Sequence, residues 1–421
     1  MVTRPASSGF ARFLRSLGPG LVTGASDDDP SGIGTYSLAG ASLGFATLWT
    51  AVVTLPLMIA VQFICAKIGM ASGRGLASVL RVFYPRSIVY PAVACLLVAN
   101  TLNAAADLGA IAAAIGLVVP VRPAWLLVPI AAAILGLQLW GRYRLIVGIF
   151  KWLTVSLLAY VAAAFLARPD WGAVLAGTFR PTLSLDRDYL VTLVAILGTT
   201  ISPYLFFWQA SQEVEEDVGR GRLSVDHRKG TTDAELRRAR LDTITGMFFC
   251  NLVFYFVILA CAATLHATGH TDIQSAAEAA AALRPVAGEA AGYLFALGII
   301  GAGFLAVPVL TASSAYAVAE AFAWRVGLDR RLGEAPGFYA VIAVSTLVAL
   351  AIDFAGINPI RALFWSAVLN GLLAPPLLVL IMLVANNPDA MGRHVNGRLA
   401  NVAGWTTTAL MFAAAAALAV S

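Results

Sequence analysis

Charge is what this sequence has least of: Asp, Glu, Lys and Arg make up 12% of its 421 residues, against about 25% in ordinary soluble chains. With 59% hydrophobic residues and a mean hydropathy of +0.81, that shortage excludes a soluble globular protein and leaves an all-α integral membrane protein of many helices. Cysteine is scarce as well. Cys65, Cys95, Cys250 and Cys261 all lie inside apolar segments without metal-type spacing, and read as small buried hydrophobes. No polar stretch is long enough for a separate soluble domain, so residues 1–421 read as one membrane domain. The N-terminal arginines precede an apolar stretch too long and too acidic for a cleavable signal peptide, and none is expected. The net charge of +5 would suggest nucleic acid in a soluble chain; here charged loops account for it, and no nucleic-acid partner is expected. Composition demands the lipid bilayer as a partner, and nothing points to a bound cofactor or an obligatory protein partner.

What is present is a succession of apolar segments, at 18–45, 47–69, 88–117, 123–140, 144–167, 189–214, 241–266, 291–324, 337–355, 359–386 and 402–420. Most reach the ~20 residues that a spanning helix needs, which predicts about eleven transmembrane helices. Orientation follows from the positive residues. With the N-terminus in the cytoplasm, only Arg122, Arg168, Arg180, Arg187, Arg284 and Arg361 of the 28 lysines and arginines fall outside. The expectation is therefore a multi-pass protein of the cell's inner membrane, its N-terminus cytoplasmic and its C-terminus outside. The longest polar insert, 215–240, carries charges of both signs and reads as a solvated cytoplasmic connector. His266, His270 and Asp272 fall in an outer segment with Gly269, which reads as loop rather than as a metal-capture patch.

The first segment holds the least expected feature. Asp27, Asp28 and Asp29 sit near its centre, followed by Pro30, Gly32 and Gly34. An ionised Asp at that depth costs about 2.5–3.5 kcal/mol unless it meets water, a partner or a cation. Pro30 removes a backbone donor and pushes Asp29 out of the α region, so the helix breaks at the carboxylates. Such a break persists at membrane depth only where freed carbonyls line a cavity or coordinate something. The sixth segment repeats the pattern, with Thr199, Thr200 and Ser202 leading into Pro203. It is the first helix of a second set of five, and matched interruptions in two halves point to a transporter with its site at the midplane. Helices 1–5 (18–167) and 6–10 (189–386) would be inverted repeats, and helix 11 (402–420) an addition. Carboxylates together with the negative ends of helices favour a cation.

These residues carry a family resemblance. Gly18-Pro19-Gly20, then Asp29-Pro30-Ser31-Gly32, a sixth helix with Thr199-Thr200-Ile201-Ser202-Pro203-Tyr204, and Asn358-Pro359 opening the tenth resemble the natural-resistance-associated macrophage protein (Nramp) family of divalent-metal transporters. The resemblance implies a leucine-transporter-like fold of 5+5 inverted repeats with helices 1 and 6 broken, and transport of Mn²⁺ or Fe²⁺ with protons. It places Asp29 as a metal ligand and Thr199 as a carbonyl donor; to these the oxygen-rich breaks themselves add carbonyls around Asp28 and the Ser202 hydroxyl as candidates. Three positions depart from the family's pattern: Gly32 replaces an Asn ligand, Ser202 a Met and Tyr204 a His. The oxygen ligands that remain suit Mg²⁺ and Mn²⁺, with Fe²⁺ admissible, and the pattern is closer to the divergent Nramp-related branch that includes magnesium transporters.

Protons are a candidate second cargo. In the resemblance the third helix is a proton relay, of whose two acids Ala104 replaces the first and Asp107 keeps the second. Asp107 and Asp27 are therefore assigned to a proton or entry path, and metal transport driven by its own gradient is an open alternative. Asn370 could face the site or bond between helices, Glu213 and Glu320 are expected near water at helix ends, and Trp208 is expected to pack.

Rival readings fare less well. An amino-acid or other organic-solute transporter of the same fold would favour a carboxylate-free break. An intramembrane aspartyl protease needs two carboxyls sharing one proton, and two proline breaks would serve no purpose in it. A channel would be expected to carry a filter loop. No enzyme is expected.

Overall fold

Proline marks where several of these helices start, because a first turn needs no N–H from it and its fixed φ suits a helix. The computed structural model describes residues 18–140 and 155–420. Helices of eight or more residues begin with α1 (Pro19–Asp27), α2 (Pro30–Leu43), α3 (Trp49–Ser72), α4 (Leu76–Phe83), α5 (Arg86–Gly116), α6 (Pro123–Trp140) and α7 (Ala159–Leu166). They continue with α8 (Trp171–Phe179), α9 (Arg187–Thr200), α10 (Pro203–Gly219), α11 (Asp233–Thr264), α12 (Ala291–Ala321), α13 (Pro336–Asp353), α14 (Pro359–Ala385) and α15 (Arg398–Val420). Proline opens α1, α2, α6, α10, α13 and α14. There is no strand among the described residues.

Among those residues, nine helices or helix pairs are long and apolar enough to cross a membrane, α9 and α10 counting as one. The α1–α2 pair and α7 correspond to the first and fifth expected segments. Residues 141–154, with Arg142, Arg144 and Lys151, lie outside the described residues, as does the basic tail with Arg4, Arg12 and Arg15.

The α9–α10 pair is the most enclosed span, whereas α6 and α15 turn most of their surface outward, as lipid-facing helices do. α5 packs against α12 and α13, α9 against α14, and α10 against α3. α11 packs against both halves of the first broken helix. Small residues permit that closeness. A Cβ added to Gly24 would come 2.3 Å from the Gly246 backbone, and one on Gly246 would come 2.2 Å from Gly20 O. In lipid, where apolar burial no longer drives helices together, such backbone-to-backbone contact supplies the packing energy.

Asp242 fixes the register of the same pair. Its carboxylate accepts from the N–H groups of Gly18 (2.9 Å), Gly20 (2.7 Å) and Leu21 (3.1 Å), which α1 leaves without intrahelical partners. Asp242→Ala should therefore cost about 1–3 kcal/mol, read as a lowered melting temperature of the detergent-purified protein. An unchanged melting temperature would mean that water caps α1 equally well.

Several expectations from the sequence need correction. The insert 215–240 is not a free connector: α10 continues to Gly219, α11 starts at Asp233 with a Thr232–Glu235 capping box, and only 220–232 lies between. That turn is tied down, with Arg222 bonded to Asp217 (2.9 Å) and Glu235 (2.6 Å), and the Gly230 N–H to Ala71 O (2.9 Å). Glu213 and Glu320 are buried rather than at the water's edge. Glu320 Oε2 accepts from the Ser78 N–H that opens α4, and its Oε1 from the Ser211 hydroxyl. Cys95 is exposed, unlike Cys65, Cys250 and Cys261. His266 and His270 do not converge: one ring contacts Ala41 O and the other the Thr268 hydroxyl.

Candidate functional site

Both breaks fall where proline and short polar side chains coincide. α1 ends at Asp27, Asp28 leaves helical geometry (φ −78°, ψ 47°), and Asp29 is extended (φ −72°, ψ 166°) ahead of Pro30. Asp29 is the N-cap of α2. Its Oδ1 accepts from the Gly32 N–H (2.6 Å) and the Ser31 hydroxyl (2.9 Å), while Oδ2 accepts from Asn103 Nδ2 on α5 (3.0 Å). In the second break α9 ends at Thr200, and Ile201 and Ser202 pass in irregular and extended conformation to Pro203. The Ser202 hydroxyl turns back to donate to Thr199 O (2.7 Å) and Gly198 O (3.2 Å), which partly satisfies the carbonyls that the break frees.

The two breaks face each other. A Cβ on Gly32 would lie 3.1 Å from Thr199 Oγ1 and 3.4 Å from Asp27 O, so glycine here keeps the halves in near contact. The Tyr204 hydroxyl, at the start of α10, donates to Ser26 O near the end of α1 (2.9 Å), and the Ser313 hydroxyl of α12 donates to Tyr204 O (2.6 Å). Around this junction Asp27, Asp28, Asp29 and Asp107 are all buried. Asp107, on α5, lies beside Asp29 and the Ser31 backbone. Asp27 Oδ1, Asp28 Oδ1 and both carboxylate oxygens of Asp107 have no hydrogen-bond partner.

This is an acid-rich centre without a basic neighbour. The ion pairs among the described residues join Arg220 and Arg222 to Glu216, Asp217 and Glu235, and none reaches the breaks. Buried carboxylates without counter-charge are costly enough to require a proton or a cation. No group of three or more His, Cys, Asp or Glu side chains among the described residues is set to hold a metal ion by itself. Any cation bound here would therefore draw on carbonyls, hydroxyls or water beside the carboxylates.

The residues predicted from the sequence thus gather at one place. Asp29, Thr199 and Ser202 meet across the breaks, and Asp28 and Asp27 adjoin them. Asp27 and Asp28 are both enclosed in this conformation, with Asp27 against Cys250 and Ser202. Asn370 is buried with its Oδ1 unpartnered. Trp208 is fully buried and packs edge-on to Tyr316, as expected. Sequence reasoning missed Asn103, although its i,i+4 spacing from Asp107 puts both on one face of α5. It also missed Cys250, which α11 brings within 3.1 Å of Asp27 Oδ2.

Comparison with known proteins settles the family. The family model described as natural resistance-associated macrophage protein-like matches residues 20–421. The chain belongs to the Nramp family. The Nramp chain is similar to the divalent metal cation transporter MntH of Deinococcus radiodurans, 28% identical over 96% of this chain and 89% of that one. Its fold is similar to that of the Eremococcus coleocola manganese transporter, with a TM-score of 0.76 and 18% identity over 99% of this chain and 88% of that one. A more distant likeness, with a TM-score of 0.53 and 15% identity over 96% of this chain and 92% of that one, is to Mhp1, a nucleobase-cation-symport-1 family transporter. The leucine-transporter-like architecture expected from the sequence is therefore the fold of this Nramp protein.

Proposed function

We propose that this protein carries divalent metal cations across the cell membrane by alternating access, with Mn²⁺ and Mg²⁺ as the leading substrates and Fe²⁺ as a third. The observation that carries this reading is the meeting of the two broken helices around buried carboxylates that no lysine or arginine neutralises. The name of the Deinococcus relative agrees with it. Asp29 is the central ligand, with the Ser202 hydroxyl and the carbonyls of Asp28 and Thr199 beside it. Ser202 now donates to Thr199 O, so a rotation of its side chain would release that carbonyl to a metal. Mg²⁺, which keeps several waters, suits a site with few side-chain ligands.

The two halves, 18–167 and 189–386, would rock against each other about the breaks, with 402–420 outside the repeat. Proton movement, if coupled, would pass through Asp107, whose carboxylate faces Asp29. The distribution of arginine and lysine supports a cytoplasmic N-terminus and an external C-terminus in the inner membrane.

The test is flux into proteoliposomes holding the purified protein, with Mn²⁺ and Mg²⁺ offered separately, with and without a pH gradient. Uptake of both metals is the expected result. Acidification of the lumen in step with uptake would assign Asp107 to a relay, and its absence would assign transport to the metal gradient alone. No flux of either metal would overturn the reading in favour of an organic solute, a class that the distant likeness to Mhp1 keeps in view.

A further inference from the structure

Far from the breaks, an open cleft of about 490 Å³ lies at the end of the molecule that the distribution of arginine and lysine favours as cytoplasmic. Its walls are distant in sequence. One is the turn 227–232 ahead of α11, the other the turn 391–394 between α14 and α15, and Ala71, near the end of α3, lines it as well. These parts are fastened to one another. Arg393 Nη2 donates to Thr231 O (3.3 Å), which joins the two turns, and the Gly230 N–H donates to Ala71 O (2.9 Å). One helical turn before Ala71, the buried Lys67 donates to Asn396 Oδ1, and the Asn396 N–H is bonded to Ala385 O (3.0 Å). The cleft is therefore a built shape and not a gap between two loose loops.

Its charge is lopsided. Among the described residues Glu235 is the one acid that lines it, and that carboxylate is fully engaged by Arg222 Nη2 (2.6 Å), the Thr232 N–H (2.9 Å) and the hydroxyls of Thr231 (3.2 Å) and Thr232 (2.9 Å). Arg222 is balanced further by Asp217 (2.9 Å), and Arg228 directs its guanidinium to the carbonyls of Gly73, Arg222 and Leu223. Asp226 and Asp233 belong to the same stretch but do not line the cleft. Nothing balances what is left. Lys229 and Arg393 have no acid partner among the described residues, and neither the Lys229 ammonium nor the His227 ring makes a hydrogen bond there. Arg393 is steadied by its Nε on His394 Nε2 (3.2 Å), which leaves Nη1 to spare. Lys67, beneath, adds an ammonium that likewise has no acid partner among those residues. Positive groups on a convex loop are satisfied by water, whereas the same groups converging on a concavity focus their field and draw an anion in.

We propose that this cleft is a binding site for an anionic phosphate group, gripped by Lys229 and His227 from one wall and by Arg393 and His394 from the other. A guanidinium fork matches phosphate oxygens, and an ammonium supplies a compact second charge. Two sources share that chemistry at this surface. One is the headgroup of an anionic lipid, which basic pockets at the cytoplasmic side of helix bundles accept, and the other is a soluble phosphate compound. The cleft shares no residue with the breaks, so the proposal stands apart from the metal reading.

The test titrates the full-length protein in a neutral detergent and follows its melting temperature, which a ligand of the folded state raises. One arm adds inorganic phosphate, with chloride lowered to hold ionic strength constant. The other adds phosphatidylglycerol to the micelles, with phosphatidylcholine as the blank. A saturable rise is expected in at least one arm: a response to inorganic phosphate assigns a soluble ligand, and a response to phosphatidylglycerol alone assigns a lipid headgroup. Lys229 is exposed and unpartnered, so Lys229→Glu should fold normally while raising the half-saturating concentration about tenfold or more. Arg237→Glu makes the same change of charge on an exposed residue of α11 that does not line the cleft, and should respond as the wild type does. No saturable rise in either arm, or a rise that Lys229→Glu leaves intact or that Arg237→Glu weakens equally, would overturn the site.

Discussion

Asp29→Ala is expected to abolish Mn²⁺ uptake into proteoliposomes, a loss larger than the roughly 10–100-fold that follows removal of an outer-shell partner of a metal ligand. Ala alone cannot decide why, because Asp29 has two duties. Its Oδ1 caps α2 through the Gly32 N–H and also takes the Ser31 hydroxyl, so Ala would destabilise the half-helix by about 0.5–2 kcal/mol as well as delete a negative charge. Asp29→Asn separates the two. Asparagine caps a helix about as well as aspartate, so the melting temperature should stay near that of the wild type, while the missing charge should still stop transport. If Asn transports normally, Asp29 is a cap and the metal is held by Asp27, Asp28 or Asp107. Asn103→Ala offers a graded version, since it removes only the donor on Oδ2 and leaves the carboxylate in place. Its expected cost is about tenfold in uptake.

Pro30, Pro203 and the acidic run could be read from the sequence because each breaks a local rule: proline within an apolar span, and charge where lipid would be. Such conflicts need no knowledge of neighbours. Cys250 and Asn103 break no rule, and their importance depends on which turn of α11 faces α1 and which face of α5 looks inward. A helix nearly hydrophobic all round carries little directional signal of that kind. The charged stretch around Glu215 failed for the opposite reason. Its density of charge reads as water, yet Glu235 closes the capping box on Thr232 that opens α11, while Glu320, from α12, closes the start of α4. Glu320 and Ser78 are far apart in the chain, so composition within one window could not reveal that pair, whereas the Thr232–Glu235 box is local. Gly269, the local signal by which the segment around His266 and His270 reads as loop, does adopt a left-handed φ of 81°.

The contact that delivers Cys250 to the acids has a consequence that can be measured away from the chemistry. Gly24→Leu places a side chain where the first added carbon already falls 2.3 Å from the Gly246 carbonyl carbon and oxygen. No rotamer avoids that clash, because the obstacle is backbone. α1 must move off α11 or tilt against it, at a cost of at least the ~1–3 kcal/mol typical of overpacking. Either movement draws Asp27 away from Cys250 and loosens the Asp242 bonds to Gly18, Gly20 and Leu21. Uptake should therefore fall to background, and the melting temperature should drop further than in Asp242→Ala. Gly292→Leu is the matched control, since a Cβ there meets nothing within 4 Å. Its behaviour should be that of the wild type. If Gly24→Leu instead keeps its melting temperature and its transport, then α1 is free to leave α11 in the working protein. The junction of Asp27 and Cys250 would then belong to one conformation of the transport cycle rather than to a fixed part of the site.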